Sequence, residues 1–333
     1  MKSDFPQAPG IEATLRSPFY DRVRGIPPLI ENTIRRVIMK SNIGRTMLVI
    51  SFLAVFVFSM VPMVQAQTDP EFEGEKIRQT CSNGKAAGAW GFATTGVMLV
   101  PGPGRPVPVP VANVTTFTAD RAGDLIGSQT RNIGGVVTDE TIKGTLSVNS
   151  DCTGRIIAHA FDPSSMAPIY TSTLAIVFDD NRRQFQGVVT GTVDPNGKPL
   201  PSVLSAEGER VVANDEEHGC TLATLKGQFG AAINGTVIGF GALAASGLTN
   251  FDGAGHFSID ATTDVAGMVF LAPSTGMYTV NENCTGRASD SNGDSISFVL
   301  VGDRGNEEIM AIETSPSLIL HAGVVATVRA KKQ

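Results

Sequence analysis

Four cysteines carry the most definite chemistry in this 333-residue chain: Cys81, Cys152, Cys220 and Cys284. Thiols of this kind either oxidise in pairs to disulfides or, when closely spaced, hold zinc. The close pairs that a zinc site requires are missing, since the nearest two are 64 residues apart. The four histidines, His159, His218, His256 and His321, never fall three to five residues apart, so none is placed to share a metal with another. Asp290-Ser291-Asn292-Gly293-Asp294 resembles the start of a calcium loop, but its glycine is misplaced and Val301 occupies the twelfth position where an acid belongs. A hairpin turn explains the run better. Asp179-Asp180 and Glu307-Glu308 are adjacent acids at expected strand ends, where solvated charge is the ordinary outcome and a catalytic pair the exception. No nucleophile elbow, phosphate loop, dinucleotide fingerprint or H-E-x-x-H helix occurs. No catalytic residue, metal or cofactor is therefore assigned, and the ligand-binding residues stay unassigned.

The elements that position these residues are organised by an internal repeat. Cys81 followed by Gly88-Ala89-Trp90-Gly91 matches Cys220 followed by Gly227-Gln228-Phe229-Gly230 at an offset of 139. Asp120-Arg121-Ala122-Gly123 matches Asp252-Gly253-Ala254-Gly255 at 132, and the same offset carries Val148-Asn149 and Cys152-Thr153-Gly154-Arg155 onto Val280-Asn281 and Cys284-Thr285-Gly286-Arg287. A third block, from Leu174, overlies the segment from Phe298 without a gap at 124. The falling offsets place insertions of seven and eight residues in copy one, both in loops. The first holds Pro101-Gly102-Pro103-Gly104-Arg105-Pro106-Val107-Pro108, whose fixed φ angles and missing donors argue against a central strand; the second holds Pro163 through Pro168. Shared polar residues, namely Asn149 with Asn281, Arg155 with Arg287, Asp120 with Asp252 and Asp179 with Asp303, suit turns and hydrogen bonds, with a shared ligand site as the alternative. A unit that folds alone needs its cysteine partners inside itself, which selects Cys81 with Cys152 and Cys220 with Cys284.

Short apolar runs bounded by turn residues recur through both copies, among them RIIAHAF, TLAIVF and FQGVVTGTV in the first and SISFVLV, EEIMAIET and AGVVATVRA in the second. They predict an all-β chain with two tandem antiparallel meanders of about six to eight strands, each closing into a barrel or sandwich. Module 1 spans residues 78–206 and module 2 residues 219–333. The unpatterned acidic stretch 207–218 reads as the linker between them.

Residues 47–64 form an apolar run preceded by Arg35, Arg36, Lys40 and Arg45 and followed by Val64-Gln65-Ala66, the pattern of a signal peptide over 39–66. An uncleaved anchoring helix is the competing reading. Met39 begins a segment of ordinary signal size, so residues 1–38 read as a non-native leader, and 67–77 as a short linker. Both readings export the remainder, to the periplasm or the exterior of a bacterium, with the membrane touched only through this segment. Without residues 1–66 the chain keeps 18 basic against 28 acidic residues, a balance that repels nucleic acid. Asn113, Asn234 and Asn283 begin N-x-T sequons, which matter only in a eukaryotic secretory pathway.

Gly88-Ala89-Trp90, the short meander and the V-N-x-x-C-T-G block resemble secreted bacterial tandem-repeat proteins of unknown function, whose modules are similar to calycin-like barrels of the lipocalin-like and allene-oxide-cyclase-like kinds. Copy two departs from the opening motif with Phe229, and no residue of a cyclase site can be matched. The resemblance implies a non-enzymatic barrel protein that binds a small apolar ligand or an envelope partner. An isomerase or cyclase and a structural envelope or extracellular module stand as alternatives. A cavity separates the first two from the third, and a buried acid or histidine facing it separates catalysis from binding.

Overall fold

The computed structural model describes residues 80–179, 182–212, 219–303, 305–317 and 322–333. The leader and apolar segment expected over 1–66 lie outside these, as do His218 and His321. No helix among the described residues is long and apolar enough to cross a membrane.

Alternation of apolar and polar residues produces eight strands in copy one: β1 Gly88–Val100, β2 Val107–Ala119, β3 Asp124–Ile133, β4 Val136–Val148, β5 Thr153–Phe161, β6 Pro168–Phe178, β7 Gln184–Val193 and β8 Ser202–Arg210. Each pairs with the next, and β8 returns to β1, so the sheet closes with no exposed edge. Copy two repeats the path with β9 Lys226–Val237, β10 Gly241–Asp252, β11 His256–Val265, β12 Met268–Leu271, β13 Ser274–Val280, β14 Thr285–Asp290, β15 Ser295–Asp303, β16 Asn306–Glu313, β17 Pro316–Ser317 and β18 Ala322–Lys332. Pairing of β10 with β11, β11 with β13 and β18 with β9 closes a second eight-stranded barrel, leaving β12 and β17 as short additions.

The expected disulfides are present, Cys81–Cys152 and Cys220–Cys284, one per barrel. They belong to an oxidising compartment. Each joins the segment before the first strand to the same turn, in which Asn149 Nδ2 or Asn281 Nδ2 donates to a threonine Oγ1 four residues on, at 2.9 Å in both copies. Cys152 and Cys284 take positive φ there, 67° and 64°.

Four sequence expectations need correction. Val107 and Pro108, expected in a loop, begin β2, which also holds Pro110; β3 pairs with β2 only from Val111 onward, so the missing donors of both prolines face no strand. Glu207–Arg210 are the end of β8 rather than linker. The apolar signal was hidden because the inward residues are small: a Cβ on Gly208 would stand 2.3 Å from the Phe185 ring. The gapless third block holds for β7 and β16 but slips by two for β6 and β15. Thr153 faces Val177 where Thr285 faces Val299, and the extra residues sit in the longer second hairpin. Glu307 and Glu308, expected in solvent, are buried and paired across the sheet with Lys332 at 2.8 Å and with Arg329 and Lys331.

Each barrel buries its own core, and a third apolar cluster joins them: Ala112 and Val114 of β2 pack against Val299, Val301, Met310, Ile312 and Val325. Gly91 permits this approach, since a Cβ there would lie 2.6 Å from Val301 Cγ1. Asn132 Nδ2 crosses the interface to the Glu313 and Val324 carbonyls at 2.9 and 2.8 Å. Arg287 reaches Asp139 at 2.6 Å, an exposed pair that adds little stability.

Candidate binding cavity of the second barrel

An eight-stranded barrel is just wide enough either to fill with its own side chains or to hold one small molecule. The first barrel places large side chains at both ends of its interior. Trp90, Phe92, Phe117, Phe178 and Phe185 pack ring against ring at one end, with centroid separations of 5.3–5.9 Å. At the other end Glu140 accepts from Gln129 Nε2 at 2.6 Å, Thr138 Oγ1 at 3.0 Å and Tyr170 OH at 3.1 Å, and is ion-paired with Arg131. Burial pushes the Tyr170 phenol up.

The second barrel is hollow. A cavity of about 200 Å³ runs inside it, walled by residues that include Ala231, Ala245, Gly247, Ala261, Ala288 and Val324. Its cause is visible in the repeat. Ala231 stands where copy one has Phe92, Thr249 where it has Phe117, Ala288 where it has Ile156 and Ala261 where it has Gln129. Phe229, Phe251, Phe257 and Tyr278 close the base. There Tyr278 OH is bound between the Leu222 and Leu225 carbonyls at 3.1 and 3.0 Å.

Three carboxyl groups line the opposite end: Asp290, Asp294 and Glu313. The barrel wall is low there, because β13 and β14 run seven and six residues against twelve for β9 and β10. Asp290–Asp294 is a tight turn, with Asp290 Oδ1 accepting from the Asn292 and Asp294 amides at 2.9 and 3.0 Å. Asp294 Oδ1 is buried with no partner among the described residues. Glu313 lies on the inward face of β16 with Ile309 and Ala311, and Ser295 N and Ser315 Oγ both donate to its Oε1, at 3.0 and 2.9 Å. Burial, followed by the charge of Asp294, raises Glu313 to about 7. Burial, followed by the charge of Asp290, raises Asp294 to about 6.

A carboxyl whose folded pKa exceeds its unfolded value binds its proton more tightly when folded, so stability falls as pH rises through the window between the two, here about 4.5 to 7 for Glu313. Glu313→Gln is therefore expected to stabilise the protein by about 2–3 kcal/mol at pH 8 and by almost nothing at pH 4. Urea unfolding of both proteins at the two pH values checks this; an equal difference at both would refute it.

The sequence-selected residues stand apart from this cavity. Trp90 is fully buried in barrel one beneath the Arg210 guanidinium, 4.2 Å away, and donates from Nε1 to the Ala86 carbonyl at 2.8 Å. Gly88 and Gly227 precede their aromatic residues with φ of 121° and 119°, which favours glycine. Phe229 lies beneath the cavity, Arg155 is exposed on β5, and Asn149, Asn281 and Arg287 serve the turns and interface described above. Asp179 Oδ1 accepts from the Arg183 amide at 2.8 Å, and Asp303 pairs with Arg183. His159 and His256 are on the outer surface, bound to Thr171 and Asp252. Sequence reasoning missed Glu313. Its signal was the replacement of apolar Val189 by an acid at the 124 offset, on an inward-facing position.

No protein-family model and no curated protein matches the chain. Solved structures to which the chain shows a distant similarity include kievitone hydratase from Nectria haematococca (7% identity, 77% of this chain and 92% of that one, TM-score 0.27). Others are a DUF3598-family protein from Nostoc punctiforme (9%, 75% and 97%, TM-score 0.23) and transferrin binding protein B from Neisseria meningitidis (9%, 73% and 76%, TM-score 0.25). Likeness this distant carries no functional argument. The cavity must be read from its own residues.

Proposed function

We propose that this is an exported binding protein, used in the manner of a calycin-like barrel, that holds one small, largely apolar molecule inside its second barrel. The observation that carries this reading is the contrast between two equivalent interiors, one packed with aromatic rings and the other left open. The cavity is smaller than the several hundred cubic ångströms of drug-sized sites but exceeds the roughly 150 Å³ that accommodates benzene in an engineered apolar cavity. The occupant is thus of single-ring size. The apolar run at 47–64 and the disulfides support a bacterial periplasmic or extracellular location.

Methyl-resolved NMR with ethylbenzene as a neutral probe tests the reading. Saturable shifts at Ile233, Val265 and Val324, with barrel-one methyls unchanged, are expected. Absence of saturable binding would overturn it. Acid–base catalysis of the isomerase or cyclase kind is a second reading, supported by Glu313 and Asp294 having pKa values near neutrality beside an apolar cavity.

A further inference from the structure

We infer that the molecule held in the second barrel is a small hydrophobic amine, its apolar body among the alanine and valine walls and its ammonium group between Asp294 and Glu313. This rests on the binding reading above. Elsewhere the protein sets its buried carboxylates against cations. Glu140 is matched by Arg131, Glu307 by Lys332, and Glu308 by Arg329 and Lys331, as burial of charge requires; Glu209 has no ion pair and one oxygen without a hydrogen-bond partner among the described residues, but it lies in the field of the same Arg329 and Lys331. The carboxyl groups at the cavity mouth break this pattern.

Asp290, Asp294 and Glu313 face the cavity from β14, the following turn and β16, while the described lining from β9, β10, β11, β13, β15 and β18 contributes no lysine, arginine or histidine. Asp290 spends its Oδ1 on the turn amides. Among the described residues Asp294 keeps a buried oxygen without a partner, and the hydrogen bonds from Ser295 N and Ser315 Oγ to Glu313 both fall on Oε1. The described walls thus supply acceptors and negative charge at one end of an apolar chamber and, among the described residues, no cation of the kind that pairs the other buried carboxylates.

A ligand ammonium fills that omission, because its three donors and its charge match two carboxylates that otherwise repel each other. A ligand carboxylate would add a further negative charge and be rejected. A neutral ring would fill the apolar space but leave the acceptors unmet.

Affinity for an amine should rise with pH between about 5 and 8 as Asp294 and Glu313 ionise. It should fall only when the amine itself loses its proton, on the order of pH 10.

Calorimetric titration of the full chain with 2-phenylethylamine, ethylbenzene and 3-phenylpropionate at pH 7.5 tests the assignment. The amine should bind at least about tenfold more tightly than ethylbenzene, and the carboxylate more weakly than ethylbenzene. Glu313→Gln and Asp294→Asn should each lower the preference for the amine over ethylbenzene, measured on the same variant, about tenfold, with circular dichroism showing that the variants are folded. If ethylbenzene binds but the amine gains nothing over it, or if neither substitution affects the amine, the amine assignment fails and the binding reading survives. If no probe binds between pH 5 and 9, both fail.

Discussion

Replacing Cys220 and Cys284 with alanine is expected to lower the stability of the second barrel by about 4 kcal/mol, the chain-entropy value for a closed loop of this size. The two disulfides span similar separations, 71 and 64 residues, so the loss should be similar in either copy. The consequence should not be. Barrel one retains an interior of five packed aromatic rings, whereas barrel two has Ala231 and Thr249 where two of those rings stand, leaving a cavity, and depends on the tethered Leu222–Leu225 segment to close its base. Denaturant unfolding can separate them, because Trp90 is the single tryptophan and reports barrel one while circular dichroism reports both. In the Cys220→Ala/Cys284→Ala protein, loss of strand signal should precede the change in Trp90 fluorescence. A change below about 1 kcal/mol would show that the disulfide does not constrain the unfolded chain as supposed.

Filling the cavity with copy one's own residues should abolish binding. Ala231→Phe and Ala288→Ile introduce the side chains found at the equivalent Phe92 and Ile156, in a barrel whose strand register is already the same. The added atoms enter empty space, so the double variant should be as stable as the parent or more so, while affinity for ethylbenzene falls by about a hundredfold or more. Ala231→Val supplies a graded intermediate. Unchanged ethylbenzene affinity in the filled protein would place the binding site outside the barrel. Loss of stability by several kcal/mol would mean that the walls cannot accept the rings, and the graded variant would then decide the point.

Much of the architecture is determined by local pattern. Cys81, Cys152, Cys220 and Cys284 recur with their flanking Gly-x-aromatic and V-N-x-x-C-T-G segments, and duplication alone is enough to pair them correctly. Asp290–Asp294 is recognisable as a turn because Asp and Asn bind their own backbone over a few residues. Strand alternation likewise makes the all-β class and approximate strand number evident. Local patterns worked here because each depends on residues only a few positions apart.

What only the tertiary structure decided are properties of closure. Gly208 looks like a linker residue until β8 meets β1 and Phe185, when smallness becomes the condition for fitting. Val299, Val301 and Ile312 could be counted as apolar, but not assigned to an interface with Ala112 and Val114. Glu307 and Glu308 looked solvated because their cationic partners lie on β18, more than twenty residues away. Glu313 became chemically distinctive only when its strand closed around a chamber that holds no matching cation among its described walls. Sequence specified the faces of each strand, because side-chain alternation is local; whether eight such faces meet or leave room depends on the sum of their volumes, which no single strand contains.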